Sequence, residues 1–308
     1  MECEKLLLKI RKESVELMLH RYLNLRSNLS EKEQNYYLSL EKGYQGELMF
    51  DALSEPLSAN WLIINDLMLE FNHTVFQIDT LLISSEKIFM LEIKNYEGDD
   101  FVEADKWYTL SKTEIRNPFH QLERCESLLR RLLQELGITF PIETCLIFVN
   151  PEFYLYQAPL NHPIIFPPQL NRFITHLSKN KARFKDKHLK LAEQLVSMHV
   201  EKSPYLRLPD YRYDQLEKGI NCVSCHSFNV ELKSNVLVCK ECGYREGITS
   251  TVLRGVEEFT FLFPDRRVAT NEMLEWFKII ESRNTMRRLL QQNFKQIGHG
   301  KYSHYVKL

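Results

Sequence analysis

The sequence has no uninterrupted apolar run of the roughly 18 residues that a membrane-spanning helix needs, so no membrane partner is expected. Its opening stretch, MECEKLLLKIRKESVELMLHRY, is cut by charges every few positions and reads poorly as a secretory leader. No Gly-x-Ser-x-Gly, Walker loop, Rossmann glycine fingerprint or His-Glu-x-x-His occurs, which disfavours the common hydrolase and nucleotide-binding classes. Internal repeats and low-complexity segments are lacking too. So is excess charge: 40 Lys and Arg stand against 41 Asp and Glu, for a net charge of −1. That sum excludes a uniformly basic coat for a polyanion but says nothing about local clustering. With 308 residues, 44% of them hydrophobic, the chain can bury one large core or two to three small ones.

Disulfide chemistry is also disfavoured. The seven cysteines are Cys3, Cys125, Cys145, Cys222, Cys225, Cys239 and Cys242, an odd number that suits a reducing cytoplasm. Four of them form two Cys-x-x-Cys knuckles separated by 13 residues. Each knuckle places two thiolates on one tight turn, and two knuckles complete a tetrahedral sulfur site for Zn²⁺. Gly243 after the second knuckle and a short strand over 235–238 suit a zinc ribbon. An iron–sulfur cluster fits the symmetric pair less well. His226 adjoins the first knuckle, but four cysteines suffice. Such a closed site is structural rather than catalytic. A ribbon of this kind binds DNA, RNA or protein, or simply stabilises a region too small for its own core.

The first 166 residues carry the periodicities of an α/β protein. Residues 4–28 read as an amphipathic helix with Leu7, Ile10, Ser14, Leu17 and Leu25 near one stripe. Ser30 and Glu33 form a capping box for a second helix. Gly43 and Gly46 mark a turn or a close backbone approach before a short helix over 47–53. Residues 61–64 and 67–69 are short apolar runs, and 75–84 and 87–94 read as buried strands of a hairpin. Asn117-Pro118 opens a helix stopped by Gly137, and 144–150 and 164–166 read as further strands. The order is that of a mixed sheet flanked by helices. Two helices follow over 168–201 with a basic run at 179–190, then a linker over 203–217.

One constellation stands out in this region. Alternate side chains of a strand share a face, so Glu92 and Lys94 point the same way, as do Gln77 and Asp79 on the preceding strand. Charge at the end of an apolar strand needs a reason, because burying it unpaired is costly. Asp79 and Glu92 offer hard oxygen ligands for Mg²⁺ or Mn²⁺, with Glu47 as a third carboxylate. Such a cation polarises a phosphoryl oxygen and lowers the pKa of a bound water, while Lys94 offsets charge in the transition state. The same three strand residues also suit an ordinary ion pair or a solvated face.

In order, the chain reads Gly43-Tyr44-Gln45-Gly46-Glu47, Gln77-Ile78-Asp79-Thr80, Leu91-Glu92-Ile93-Lys94, Trp107 and Asn117-Pro118-Phe119-His120-Gln121. This series resembles the nuclease-related domain (NERD) family, a branch of the PD-(D/E)xK nuclease-like superfamily, over roughly 40–150. The resemblance implies a restriction-endonuclease-like mixed sheet, with Glu47, Asp79, Glu92 and Lys94 as the catalytic site. It also implies that Gln121 contacts substrate or the site lysine. The superfamily's proline before the first aspartate is Ile78 here, and the turn after Lys94 keeps one glycine, Gly98, among added acids.

The tail reads as helix, turn, helix and tyrosine-bearing hairpin, the order of a winged helix-turn-helix. From Arg283 onward there are six Lys or Arg and no acid. Arg283, Arg287 and Arg288 share a broad helical face, Asn284 sits in the first turn, and Lys301 lies in the terminal turn. These residues suit contacts to phosphates and base edges. The expected organisation is a helical region over 1–40, a nuclease-like domain over 41–166, a helical connector over 167–217, a zinc ribbon over 218–250 and a winged-helix-like domain over 251–308. The resemblance implies a Mg²⁺- or Mn²⁺-dependent nuclease acting on DNA. A non-catalytic nucleic-acid-binding or regulatory protein on the same scaffold, or an adaptor docking on a protein partner, remain the alternatives.

Overall fold

The computed structural model describes residues 7–179 and 184–307. The first half of the chain runs β1 (Leu7–Lys9), α1 (Val15–Arg26), α2 (Glu31–Ser54), β2 (Leu62–Phe71), β3 (Thr74–Ile83) and β4 (Ile88–Lys94). It continues with β5 (Gly98–Glu103), β6 (Lys106–Thr109), β7 (Glu114–Ile115), α3 (Pro118–Glu135), β8 (Ile142–Phe148), β9 (Phe153–Tyr156) and β10 (Ile164–Ile165). Then come α4 (Leu170–Ser178), α5 (Asp186–Ser197), β11 (Val230–Lys233), β12 (Val236–Cys239) and β13 (Arg245–Gly247). The chain closes with α6 (Ile248–Leu262), α7 (Thr270–Phe277), α8 (Arg283–Asn293), β14 (Lys295–Ile297) and β15 (His304–Val306). These elements form two units. One comprises the chain up to Glu13 together with Leu38–Leu206, and the other Ser14–Tyr37 with Arg207–Leu308.

The first unit is built on a six-stranded mixed sheet in the order β1-β2-β3-β4-β8-β10. β2, β3 and β4 are antiparallel neighbours, whereas β1, β8 and β10 pair in parallel. The alternation along β4 explains the layering. Ile88 and Met90 pack with Leu122, Leu129 and Leu133 of α3 and Leu191 and Leu195 of α5. Phe89, Leu91 and Ile93 pack on the other side with Phe50 of α2 and Leu170, Ile174 and Leu177 of α4. A second sheet, β7-β6-β5-β9, covers the α3 side through Trp107, which stacks on Phe148.

Two expectations fail here. Residues 4–28 are not one helix: Leu7–Lys9 is a strand beside β2, and α1 begins only at Val15. The Ser14 hydroxyl accepts the Leu17 N–H at 3.1 Å as an N-cap, so the apolar stripe belongs to two separate elements. No turn interrupts α2 either, which runs unbroken from its Ser30–Glu33 capping box through both glycines. Gly46 marks the close approach instead. A Cβ there would lie 2.4 Å from Cβ of Asn95, the residue just after β4. The absence of a side chain therefore lets α2 rest directly on the end of the central strand. The two runs at 61–64 and 67–69 are a single strand, β2, whose middle residue Asp66 turns left-handed at φ 53°.

The second unit holds a three-stranded ribbon sheet, β11-β12-β13, then three helices and the β14-β15 hairpin. Its core gathers Leu19 and Leu23 of α1, Val252, Val256 and Phe259 of α6, Trp276 and Phe277 of α7, and Met286, Leu289 and Leu290 of α8. Helix α6 is absent from the sequence expectations because β-branched residues and Gly255 blur its pattern. Gly255 is there for packing, since a Cβ would lie 2.5 Å from the Phe277 ring. Arg26 of α1 is fully buried in this unit, forking onto Glu258 of α6 at 2.6 and 2.8 Å.

Candidate active site

The β3–β4 ladder runs from Ile83–Ile88 up to Thr80–Leu91 and stops there. Beyond that point β4 continues to Lys94 paired only with β8. Asp79 stands where the two strands part, and its carboxylate accepts the Ile93 N–H at 2.8 Å. The side chain thus takes the place of the missing strand carbonyl. Glu92 and Lys94 share a face, as alternation requires, and Lys94 Nζ lies 2.6 Å from Glu92 Oε1. The Asn117 cap and Pro118 set the start of α3, which brings Gln121 Oε1 to 3.5 Å from Lys94 Nζ. Asp79, Glu92, Lys94 and Gln121 are therefore in one place.

Glu47 joins them through a residue the sequence reading missed. Arg11 donates from Nη1 to Glu47 Oε2 at 2.9 Å and from Nη2 to the Asp79 carbonyl at 2.8 Å. Asp51 and Asp66 were missed as well. Asp51 binds Arg11 Nε and Nη2 at 2.9 and 3.1 Å. Asn65 pairs with Thr80 and Leu67 with Ile78, so Asp66 stands across from Asp79. Asp66 accepts from Lys9 Nζ at 3.3 Å and from Gln77 Nε2 at 2.9 Å. A signal was available in the Lys9-Ile10-Arg11 alternation, which a helical reading hides.

Burial dominates the electrostatics. Asp79 is 7% exposed and Glu92 3%. Burial, then repulsion from Asp79, pushes Glu47 up to about 8 and Glu92 up to about 8. Asp79 is raised by burial as well, against the pull of Lys94, the Ile93 N–H and Arg11. Lys94 moves upward because Glu92 and Asp79 outweigh the cost of burying its charge. Exposed Arg116 adds a weaker attraction on Glu92. Within the cluster, the carboxylates of Glu47, Asp51, Asp66, Asp79 and Glu92 face three cations, Lys9, Arg11 and Lys94. Fully ionised, the group would carry two negative charges in excess, on hard oxygen donors of the kind that Mg²⁺ or Mn²⁺ takes. The carboxylates are not drawn tightly together. Among the described residues, only the four cysteines bring at least three potential ligand atoms within 4.8 Å of one another. Glu47 and Glu92 are instead drawn to Arg11 and Lys94.

A stability effect follows from the raised carboxyls. The folded state holds protons up to about pH 8 that the unfolded chain releases near the ordinary glutamate value of 4.5. The contribution of these groups to stability therefore falls as pH rises from about 4.5 to about 8, and levels off above. Thermal melts of zinc-loaded protein without Mg²⁺ or Mn²⁺ are expected to show a falling Tm over the upper part of that window, above the range in which His188 and His199, whose values are lowered by burial, act in the opposite sense. A Tm that climbs over that upper part would contradict the assignment.

Comparison with known protein families matches residues 42–149 to the nuclease-related domain. The chain carries a nuclease-related domain. Glu47, Asp79, Glu92, Lys94 and Gln121 all lie within it, whereas Lys9 and Arg11 precede it. No curated protein and no solved structure matches the chain significantly. The domain points to a nuclease-related function and to possible phosphodiesterase chemistry.

Cys222, Cys225, Cys239 and Cys242, outside this domain, form the second candidate centre, consistent with a zinc-binding module. Sγ of Cys222 lies 3.6 Å from that of Cys242, and Cys225 lies 3.5 Å from Cys239. The two knuckles repeat one backbone pattern. His226 N–H donates to the Cys222 carbonyl at 2.9 Å, and Gly243 N–H to the Cys239 carbonyl at 3.0 Å. Both residues are left-handed, at φ 61° and 72°. His226 thus occupies the position that Gly243 takes in the partner knuckle, and it is outside the ligand group. The Cys242 N–H, above all, lowers the Cys239 thiol to about 7, whereas at Cys225 the Ser227 N–H is outweighed by the thiol neighbours, which push it up to about 12.

On α8, Met286, Leu289 and Leu290 are buried, while Arg283, Asn284, Arg287 and Arg288 are exposed. Ser282 caps this helix by accepting the Thr285 N–H at 3.3 Å. The Lys301 side chain and residues 180–183 of the basic run lie outside the described residues. No described helix is long and apolar enough to cross a membrane.

Proposed function

We propose that the protein is a metal-dependent nuclease that hydrolyses phosphodiester bonds of DNA. The observation that carries this reading is the buried Asp79–Glu92–Lys94 group where β3 and β4 part, with Glu47 tied to it from α2. Glu47, Asp79 and Glu92 would hold Mg²⁺ or Mn²⁺, which when bound supplies Lewis acidity at the phosphoryl oxygen and at water. Lys94 Nζ holds the attacking water and offsets the charge that builds on the phosphorane-like transition state. Gln121 accepts a hydrogen bond from Lys94 and keeps the ammonium pointed into the site. Structural Zn²⁺ on Cys222, Cys225, Cys239 and Cys242 shapes the ribbon. Arg283, Asn284, Arg287, Arg288 and Lys301 contact the DNA backbone and base edges from the tail. A cytoplasmic setting suits both the free thiols and the substrate.

One observation favours a second reading. Glu47 and Glu92 already sit in ion pairs, as they would in a nucleic-acid-binding scaffold without chemistry. The deciding experiment incubates full-length protein with duplex, single-stranded and branched DNA and with RNA, with Mg²⁺ or Mn²⁺ and with chelator. Metal-dependent cleavage of DNA is expected. Binding that weakens steeply with salt, with no cleavage under any metal, would establish the scaffold instead.

A further inference from the structure

We propose that Arg11, which precedes the nuclease-related domain, is a positioning residue that sets the geometry of the cation-binding carboxylates. The inference rests on the metal-site reading above. Arg11 is nearly sealed from solvent, its side chain 2% exposed. A guanidinium so placed needs partners for its N–H groups, and here each of its three nitrogens has at least one. Nε and Nη2 fork onto Asp51, Nη1 meets Glu47, and Nη2 also meets the Asp79 carbonyl and Thr80 Oγ1 at 3.2 Å.

The contacts divide into an anchor and a reach. Asp51 follows Glu47 by four residues on α2, so the two carboxylates share one helix face. The bidentate Asp51 fork fixes the plane of the guanidinium. From that plane Arg11 reaches Glu47 on the helix and the Asp79 backbone on β3. It thereby sets the separation between a ligand carried by α2 and one carried by the sheet. The geometry at Asp79 explains why a donor is needed there. The β3–β4 ladder has ended, and Asp66 opposite is left-handed and out of the β2–β3 ladder. Arg11 supplies a donor to the Asp79 carbonyl at this break. Only one Glu47 oxygen, Oε2, is engaged by Arg11.

A plain counter-ion would act in the opposite direction. If Arg11 merely neutralised the acids, it would compete with a divalent cation, and removing its charge would tighten metal binding. A positioning role predicts weaker binding in the same variant. The experiment is therefore a Mn²⁺ titration followed by electron paramagnetic resonance on full-length zinc-loaded protein without nucleic acid. Folding of each variant is verified by circular dichroism. Arg11→Gln is expected to weaken Mn²⁺ binding about tenfold or more, the usual scale for losing a group that orients a ligand. Arg11→Lys should not rescue it, because a point-like ammonium cannot fork onto Asp51 while reaching both Glu47 and Asp79. Should Arg11→Gln not fold, Asp51→Glu keeps every charge but displaces the anchor of the fork, and a several-fold loss of affinity is expected. Unchanged or tighter Mn²⁺ binding in a folded Arg11→Gln or Asp51→Glu protein overturns the proposal. Absence of Mn²⁺ binding to the wild type overturns the metal-site reading itself, and the positioning role with it.

Discussion

Asp79→Ala and Lys94→Ala should each lower metal-dependent DNA cleavage by at least about a hundredfold while leaving the DNA affinity of zinc-loaded protein without added Mg²⁺ or Mn²⁺ unchanged. Asp79 is asked to do two things at once. It receives the Ile93 N–H, which fixes the strand bearing Glu92 and Lys94, and it contributes the charge at the centre of the cluster. Its removal has a consequence that needs no nucleic acid. Repulsion from Asp79 helps raise both Glu47 and Glu92, so both should titrate at lower pH in the variant. The fall in stability with rising pH, without Mg²⁺ or Mn²⁺, should then end at lower pH. Lys94→Ala works in the reverse sense. It strips the 2.6 Å partner from a nearly buried Glu92, whose carboxyl should move further up. Wild-type cleavage rates in either variant would remove the site from the mechanism. Loss of cleavage together with DNA affinity would mean instead that the substitution damaged the fold.

Legibility in the sequence followed how locally each feature is determined. That Glu92 and Lys94 share a face was readable because a strand alternates, whereas the roles of Asp79, Glu92 and Lys94 were implied only by the resemblance of the whole series. The α3 start was readable because Asn117 and Pro118 act within one turn. Arg11 was not, for a physical reason. Leu7–Lys9 has no intrinsic strand character strong enough to compete with an amphipathic reading, and it is extended only because β2 offers it an edge. Propensity is a weak prior against such tertiary pairing. Gly46 shows the same limit. As a residue in a helix it is a cost, and its value appears only when Asn95 is found against its Cα. Asp66 was hidden because a left-handed residue inside a strand leaves no composition signal. The helix that carries Glu47 was cut short because Gly43 and Gly46 left a turn and a close backbone approach both open, and only the close approach, at Gly46, is realised.

Zinc removal is the second change with a large expected effect. The ribbon sheet has strands of only three or four residues, and few side chains beyond Leu237 and Cys239 are buried on it. Such a sheet cannot repay its ordering entropy from apolar burial alone. Structural zinc typically contributes about 10–16 kcal/mol of apparent binding free energy at neutral pH, all of it available to folding. Full-length protein is therefore expected to carry one zinc per chain and to lose it to a strong thiol-reactive or chelating competitor. Hydrogen exchange should then accelerate first across Cys222 to Gly247. The effect should spread to α6, because Ile220, just before the first knuckle, lies against Gly255 and shares a core with Leu237, Val252 and Phe259. Cys239→Ser should reproduce it, since Cys239 is buried and its thiolate is favoured by the Cys242 N–H. His226→Ala should not, because His226 fills a left-handed backbone position and supplies no ligand. Retained protection across the ribbon after the metal has left would show that packing against the C-terminal helices, not zinc, holds the knuckles together.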